Sequence, residues 1–181
     1  MESQKIISKA ETPTLWCSPI VVVKKPNGKV RIFLNPRELN KAILREHYPL
    51  KIVEELAANL KHAKYFTTLD AASGFYQIQL TEESSWLTTF NTPFGRCKFE
   101  RLPFGISSAP EVFQRAMSHV FENQPCEVIV DDILIWADSK HENLEKLCQV
   151  LQRAEEVGLR FNNENRSRVR RTRLQRRRGE A

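Results

Sequence analysis

The chain has 181 residues, 41% of them hydrophobic, which is enough for one substantial core with a smaller lobe beside it. No run reaches the ~18 uninterrupted apolar residues of a membrane helix. Residues 1–16, MESQKIISKAETPTLW, lack the basic-then-apolar layout of a secretory signal. A soluble intracellular chain, cytoplasmic or nuclear and without membrane partners, is therefore expected. The net charge of +6 is unevenly placed: residues 166–181 carry eight arginines against Glu180 alone, so residues 1–165 sum to −1. A high pI of this origin says little about the globular part. The cysteines Cys17, Cys97, Cys126 and Cys148 are too scattered to supply half a zinc site and read as free thiols.

In chain order, IVVV (20–23) and VRIFL (30–34) are β-rich runs joined by KKPNGK, whose Pro-Asn-Gly signals a hairpin. Lys24, Lys25, Lys29 and Arg31 then gather near the tip of a two-stranded ribbon. KIVEELAANLK (51–61) places Ile52, Leu56 and Leu60 on one face of a short helix. KYFTTLD reads as a strand ending on Asp70, and FYQIQL alternates like a half-buried strand. LTTFNTPFGRCKFERLPFG reads as strand, turn, strand and loop.

Ser108-Ala109-Pro110-Glu111 has the form of a capping box and opens a helix over 109–121, predicted to bury Val112, Phe113, Ala116 and Val120. CEVIVDDILIW forms two short apolar strands around a two-carboxylate turn. Ser139 with Glu142 caps a further helix through Val157, with Leu144, Leu147, Leu151 and Ala154 on its stripe and Gly158 ending it. The mixture predicts an α+β fold, a small antiparallel sheet carrying the carboxylates with helices on one face.

Asp131 and Asp132, between Val128-Ile129-Val130 and Ile133-Leu134-Ile135, are adjacent carboxylates in apolar strand surroundings. Two such groups repel each other and resist desolvation. Alone, such a pair is usually explained as the polar tip of a surface hairpin. If strand 65–70 lies beside this hairpin, Asp70 joins the pair at one sheet edge. Hard cations such as Mg²⁺ take oxygen ligands and leave places for phosphate oxygens, and two of them can clamp an in-line phosphoryl transfer.

The segments WCSPIVVVKKPNGKVRI, NPRELNKAI, HYPL, AKYFTTLDAASGFYQIQL, TTFNTPFG, RLPFGISSAPEVFQRAM and VIVDDILIW resemble, in order and spacing, the reverse transcriptase of gypsy-type LTR retrotransposon and retroviral-like pol polyproteins. The resemblance covers roughly residues 4–162 by motif order. It implies a fingers-and-palm domain over 1–162, with residues 163–181 an Arg-rich disordered tail. The implied activity is RNA-directed DNA polymerisation, with dNTP added to a primer 3′-OH on an RNA or DNA template.

The resemblance also assigns residues. Asp70, Asp131 and Asp132 form the catalytic, metal-holding triad for two Mg²⁺ ions, with Mn²⁺ as a substitute. Lys24, Lys25, Lys29 and Arg31 meet the triphosphate. Phe75 packs under the nucleotide sugar, where a ring excludes a 2′-hydroxyl. Phe104 and Gly105, in Leu102-Pro103-Phe104-Gly105, shape the nucleotide pocket. Gln77, Arg37 and Asn40 are template-side or structural polar residues.

The sequence departs from its relatives at Ile129 (often Tyr), Asn35 (often Asp) and Ala72 (often basic). After GLRFN the expected continuation into a thumb is replaced by NNENRSRVRRTRLQRRRGEA, so thumb, ribonuclease H and integrase regions are expected to be absent. The alternative reading is an inactive retroelement remnant or a co-opted nucleic-acid-binding module.

Overall fold

The computed structural model describes residues 1–24, 28, 30–44, 48, 60, 63–162 and, for the backbone alone, 170–171. The described elements run β1 (Ile7–Lys9), β2 (Ile20–Lys24), β3 (Val30–Leu34), α1 (Arg37–Ala42), β4 (Tyr65–Asp70), a 3₁₀ turn (Gly74–Gln77) and α2 (Glu82–Leu87). They continue with β5 (Phe90–Thr92), β6 (Gly95–Phe99), α3 (Ala109–Val120), β7 (Glu127–Ile129), β8 (Asp132–Ala137), α4 (Lys140–Glu156) and β9 (Arg170–Arg171). The mixture is α+β with antiparallel sheets, as expected from the sequence. The helix expected over 51–61 lies outside the described residues, Leu60 excepted.

The chain forms two compact units, one from Met1–Pro49 with Ser73–Ala116, the other from Leu50–Ala72 with Met117–Ala181. In the first, β2 and β3 make the predicted hairpin, in register from Ile20↔Leu34 to Lys24↔Val30. A second sheet has the order β1-β6-β5. Leu34, Phe90 and Phe99 form a buried cluster, with Ile6, Ile7, Ile32 and Tyr76 packed around it. The expected strand FYQIQL is instead the 3₁₀ turn, followed by a single bridge between Gln79 and Arg101. Ser73 takes a left-handed φ of 53° and turns the chain out of extended geometry, which overrides the alternation of apolar residues.

Helix α2 has no counterpart in the sequence reading. The Thr81 hydroxyl accepts from the Ser84 N–H at 3.3 Å, Glu82 and Glu83 occupy the first turn, and Ser85 Oγ donates to the Phe99 carbonyl at 2.6 Å. Its six residues carry a good cap but too little apolar periodicity to be seen.

In the second unit the sheet order is β7-β8-β4-β9, all antiparallel. Strand alternation places Thr67, Leu69, Ile133, Ile135 and Ala137 on the buried face. On this face Thr67 Oγ1 donates to Asn143 Oδ1 of α4 at 2.7 Å. Ser139 caps α4 as expected, its Oγ accepting from the Glu142 N–H at 3.1 Å, and Gly158 follows with φ 71°.

The predicted stripes need correction. Leu144 and Leu151 are exposed, and the buried positions of α4 are Asn143, Val150 and Ala154, because a polar residue with a partner across the interface occupies the core register. In α3, Phe113, Gln114 and Met117 are buried, whereas Val112, Ala116 and Val120 are only half-buried. Within the Arg-rich segment, the backbone of Arg170–Arg171 pairs with Phe66 and Tyr65; the rest of 163–181 lies outside the described residues.

Candidate active site

Strands β4 and β8 run in register so that Asp70 stands opposite Asp132. Period-two alternation puts both on the face that carries Phe66, Thr68, Leu134 and Trp136, away from the face buried under α4. The two-residue hairpin loop is Val130-Asp131, since Ile129 pairs with Asp132. The two-carboxylate turn read from the sequence is thus shifted: Asp131 closes the loop and Asp132 opens β8.

Among the loop residues Val130 alone has positive φ, at 52°. Left-handed φ at the first loop position is the pattern of a type II′ hairpin, where glycine is usual. A β-branched residue there is strained by roughly 1–3 kcal/mol. The Ala71 N–H donates to the Asp131 carbonyl at 3.0 Å and ties the loop to the exit of β4.

The Asp132 carboxyl is pushed above the usual carboxylate range, by burial first and then by the charge of Asp70. Like charges held in register on a sheet repel, and an oxygen-seeking divalent cation relieves that repulsion. Among the described residues, however, no group of three acidic, histidine or cysteine side chains is close enough to form a ready-made metal cluster. Asp70 and Asp132 offer oxygen donors of the kind that hard divalent cations prefer.

Asp70 also has a neighbour that the sequence did not single out: Asn162 Nδ2 donates to Asp70 Oδ2 at 3.0 Å. The only hint was its place at the end of the family-like segment GLRFN.

Of the nucleotide residues expected from the sequence, Arg31, Phe75 and Phe104 lie in the first unit and meet around the Phe104 ring. The Arg31 guanidinium sits 4.8 Å from the Phe104 ring centroid and 5.9 Å from that of Phe33. Phe75 packs on Phe104 at 4.9 Å and edge-on to Phe113 at 5.6 Å. Tyr76 meets Phe104 edge-on at 5.2 Å and donates its hydroxyl to the Ile32 carbonyl at 2.9 Å. Burial pushes that phenol up to about 12, with Arg31 pulling weakly the other way. A cleft of about 190 Å³ opens beside Arg31, Ser73, Tyr76 and Phe104.

Gly105 has φ 109°, and a Cβ there would lie 1.8 Å from the Leu34 carbonyl oxygen. The loop is held by the Leu34 N–H donating to the Phe104 carbonyl at 2.8 Å. Asn40 holds it with both ends of its amide: Nδ2 donates to the Gly105 carbonyl at 2.9 Å, and Oδ1 accepts from the Ser107 N–H at 2.9 Å. Asn40 is thus a loop-holding residue, as the structural of its two sequence readings expects. Lys24 ends β2 and is exposed; Lys25 and Lys29 lie outside the described residues.

Comparison with known proteins agrees with this geometry. Residues 23–172 match the family model described as reverse transcriptase (RNA-dependent DNA polymerase). The chain is 35% identical over 169 residues to the retrovirus-related Pol polyprotein from transposon 297 of Drosophila melanogaster, covering 89% of this chain and 16% of that protein. It is 33% identical over 161 residues to the enzymatic polyprotein of cauliflower mosaic virus (strain CM-1841), covering 86% of this chain and 23% of that protein.

Among solved structures, a foamy viral protease-reverse transcriptase in complex with an RNA/DNA hybrid superposes with a TM-score of 0.81 at 27% identity, covering 93% of this chain and 22% of that one. A second, in complex with double-stranded DNA, gives 0.80 at 28%, covering 89% and 28%. The chain belongs to the reverse transcriptase family, the RNA-directed DNA polymerases. It spans between about a sixth and a quarter of the curated relatives it matches.

Proposed function

We propose that this domain carries out template-directed addition of dNTP to a primer 3′-OH on RNA or DNA, with Asp70, Asp131 and Asp132 as the metal-holding carboxylates. The observation that supports this most strongly is the register of Asp70 against Asp132, beside a loop whose second residue is Asp131. Two Mg²⁺ ions bound there would supply charge neutralisation at the attacking and leaving oxygens. The carboxylates' task is to hold negative charge at the ends of β4 and β8.

The remaining assignments follow from chemistry. Arg31, held over the Phe104 ring, offers a fork of donors to the triphosphate, and Lys24, Lys25 and Lys29 add point charges. Phe75, braced by Phe104 and Phe113, presents a ring that a 2′-hydroxyl would strike. Phe104 and Gly105 shape the pocket, and Gly105 allows the loop to lie against β3. With polymerisation driven by alignment and charge stabilisation, no side chain has to act as nucleophile.

The test is primer extension by the purified chain with Mg²⁺ and dNTP, beside Asp131→Asn. Metal-dependent extension that the substitution lowers by at least about 100-fold, or ~2.7 kcal/mol in the barrier, supports the reading. No metal-dependent extension by the unsubstituted chain refutes it.

A further inference from the structure

Asp70 is the last residue of β4, where the strand's hydrogen-bonding support gives out, and a second segment takes over its hold. The Asn162 N–H donates to the Asp70 carbonyl at 2.9 Å, and the Ala72 N–H donates to the Arg160 carbonyl at 2.9 Å. Between them Ala71 bridges Phe161 in antiparallel fashion. Residues 160–162 therefore run as a strap along 70–72. The strap starts just after Gly158 turns the chain out of α4 with φ 71°, the Leu159 N–H donating back to the Ala154 carbonyl at 2.8 Å.

From this strap Asn162 Nδ2 reaches Asp70 Oδ2 at 3.0 Å. An ionised carboxylate only accepts, so the amide nitrogen must face it. We infer that Asn162 is a positioning residue for Asp70, and that its amide, held by the strap, fixes the carboxylate in the rotamer that presents Oδ1 to a divalent cation.

A neutral donor suits this task. A lysine or arginine in the same place would cancel the charge that attracts the cation, whereas an amide orients the carboxylate and leaves its charge intact. Groups that orient metal ligands in this way typically change metal affinity by roughly 10- to 100-fold when removed. The inference rests on the reading of Asp70 as a metal ligand.

The test uses Mn²⁺ as probe, with binding to the full chain measured by electron paramagnetic resonance. Asn162→Ala keeps the backbone N–H and hence the strap, and removes the amide alone. Asn162→Ser, too short to span the link, is scored in the same way should the alanine variant fold poorly. Asp70→Asn is the reference for loss of the ligand.

The expected result is Mn²⁺ affinity about tenfold weaker in the Asn162 variants, with a near-native melting temperature. In primer extension, kcat should fall while the dNTP KM holds, and added Mn²⁺ should restore the rate. Unchanged Mn²⁺ affinity in the Asn162 variants, with Asp70-dependent binding intact in the parent chain, overturns the inference alone. Absence of Asp70-dependent binding in the parent chain overturns the metal-ligand reading and the inference with it.

Discussion

Replacing Gly105 by alanine tests the packing of the pocket loop against β3 most directly. The new methyl would lie 1.8 Å from the Leu34 carbonyl oxygen, so loop and strand must part by about 1.2 Å to reach the 3.0 Å closest approach of real Cβ atoms. That displacement breaks the Leu34 N–H to Phe104 carbonyl bond, worth about 1 kcal/mol net. It also pulls on both ends of the Asn40 amide. A residue with a Cβ at positive φ adds roughly 1–2 kcal/mol of backbone strain.

The combined cost is about 3 kcal/mol, which for a domain of this size lowers the melting temperature by roughly 6–12 °C. Thermal unfolding followed by circular dichroism reads the effect. Asn40→Ala should move the midpoint in the same direction by less, since it removes the two amide bonds to the loop without forcing the loop off β3. A Gly105→Ala midpoint within about 2 °C of the parent would refute the close approach and the reasoning built on it.

Further outcomes follow from the carboxylate hairpin and the aromatic cluster. Val130→Gly relieves left-handed strain of roughly 1–2 kcal/mol against a glycine entropy cost of about 0.5–1 kcal/mol, so the metal-free chain should melt slightly higher. A lower midpoint would contradict the turn geometry.

Because folding raises the Asp132 carboxyl above its ordinary value, ionisation of that group works against the folded state. Stability from this source is intact below the ordinary value near 3.8 and is lost as pH rises through the raised one. In EDTA at pH 7, Asp132→Asn should therefore melt slightly above the parent, with the gap closing toward pH 3.8. A pH-independent gap would show that Asp70 and Asp132 do not repel as described. Phe75→Val should raise rNTP incorporation relative to dNTP by at least about tenfold in primer extension while leaving the fold intact; an unchanged ratio would remove Phe75 from the sugar-sensing role.

Much of the site was legible because its signals are local. Pro-Asn-Gly between β-branched runs specifies a hairpin, Ser139 with Glu142 specifies a helix start, and two carboxylates between apolar strands mark a costly charge. The pairing of Asp70 with the carboxylate hairpin could be anticipated from motif order, as could the loop Leu102-Pro103-Phe104-Gly105. What remained illegible depends on partners distant in sequence. Asn143 lies in the core because Thr67 faces it, so the apolar stripe drawn through Leu144 and Leu151 pointed the wrong way. The 3₁₀ turn after Ser73 displaced an alternation that looked like a strand, since one left-handed residue outweighs a weak period of two.

For the carboxylates, the sequence by itself determined which three there are, that two are neighbours, and that apolar strands surround them. The tertiary structure decided how they divide. Asp132 faces Asp70 across the sheet, Asp131 closes a strained turn, and Asn162, 92 residues from Asp70, grips its carboxylate. Local sequence sets backbone preference and charge. Antiparallel pairing and the return of the chain after α4 set which charges share a face and which donor reaches them, and no window along the chain contains that information.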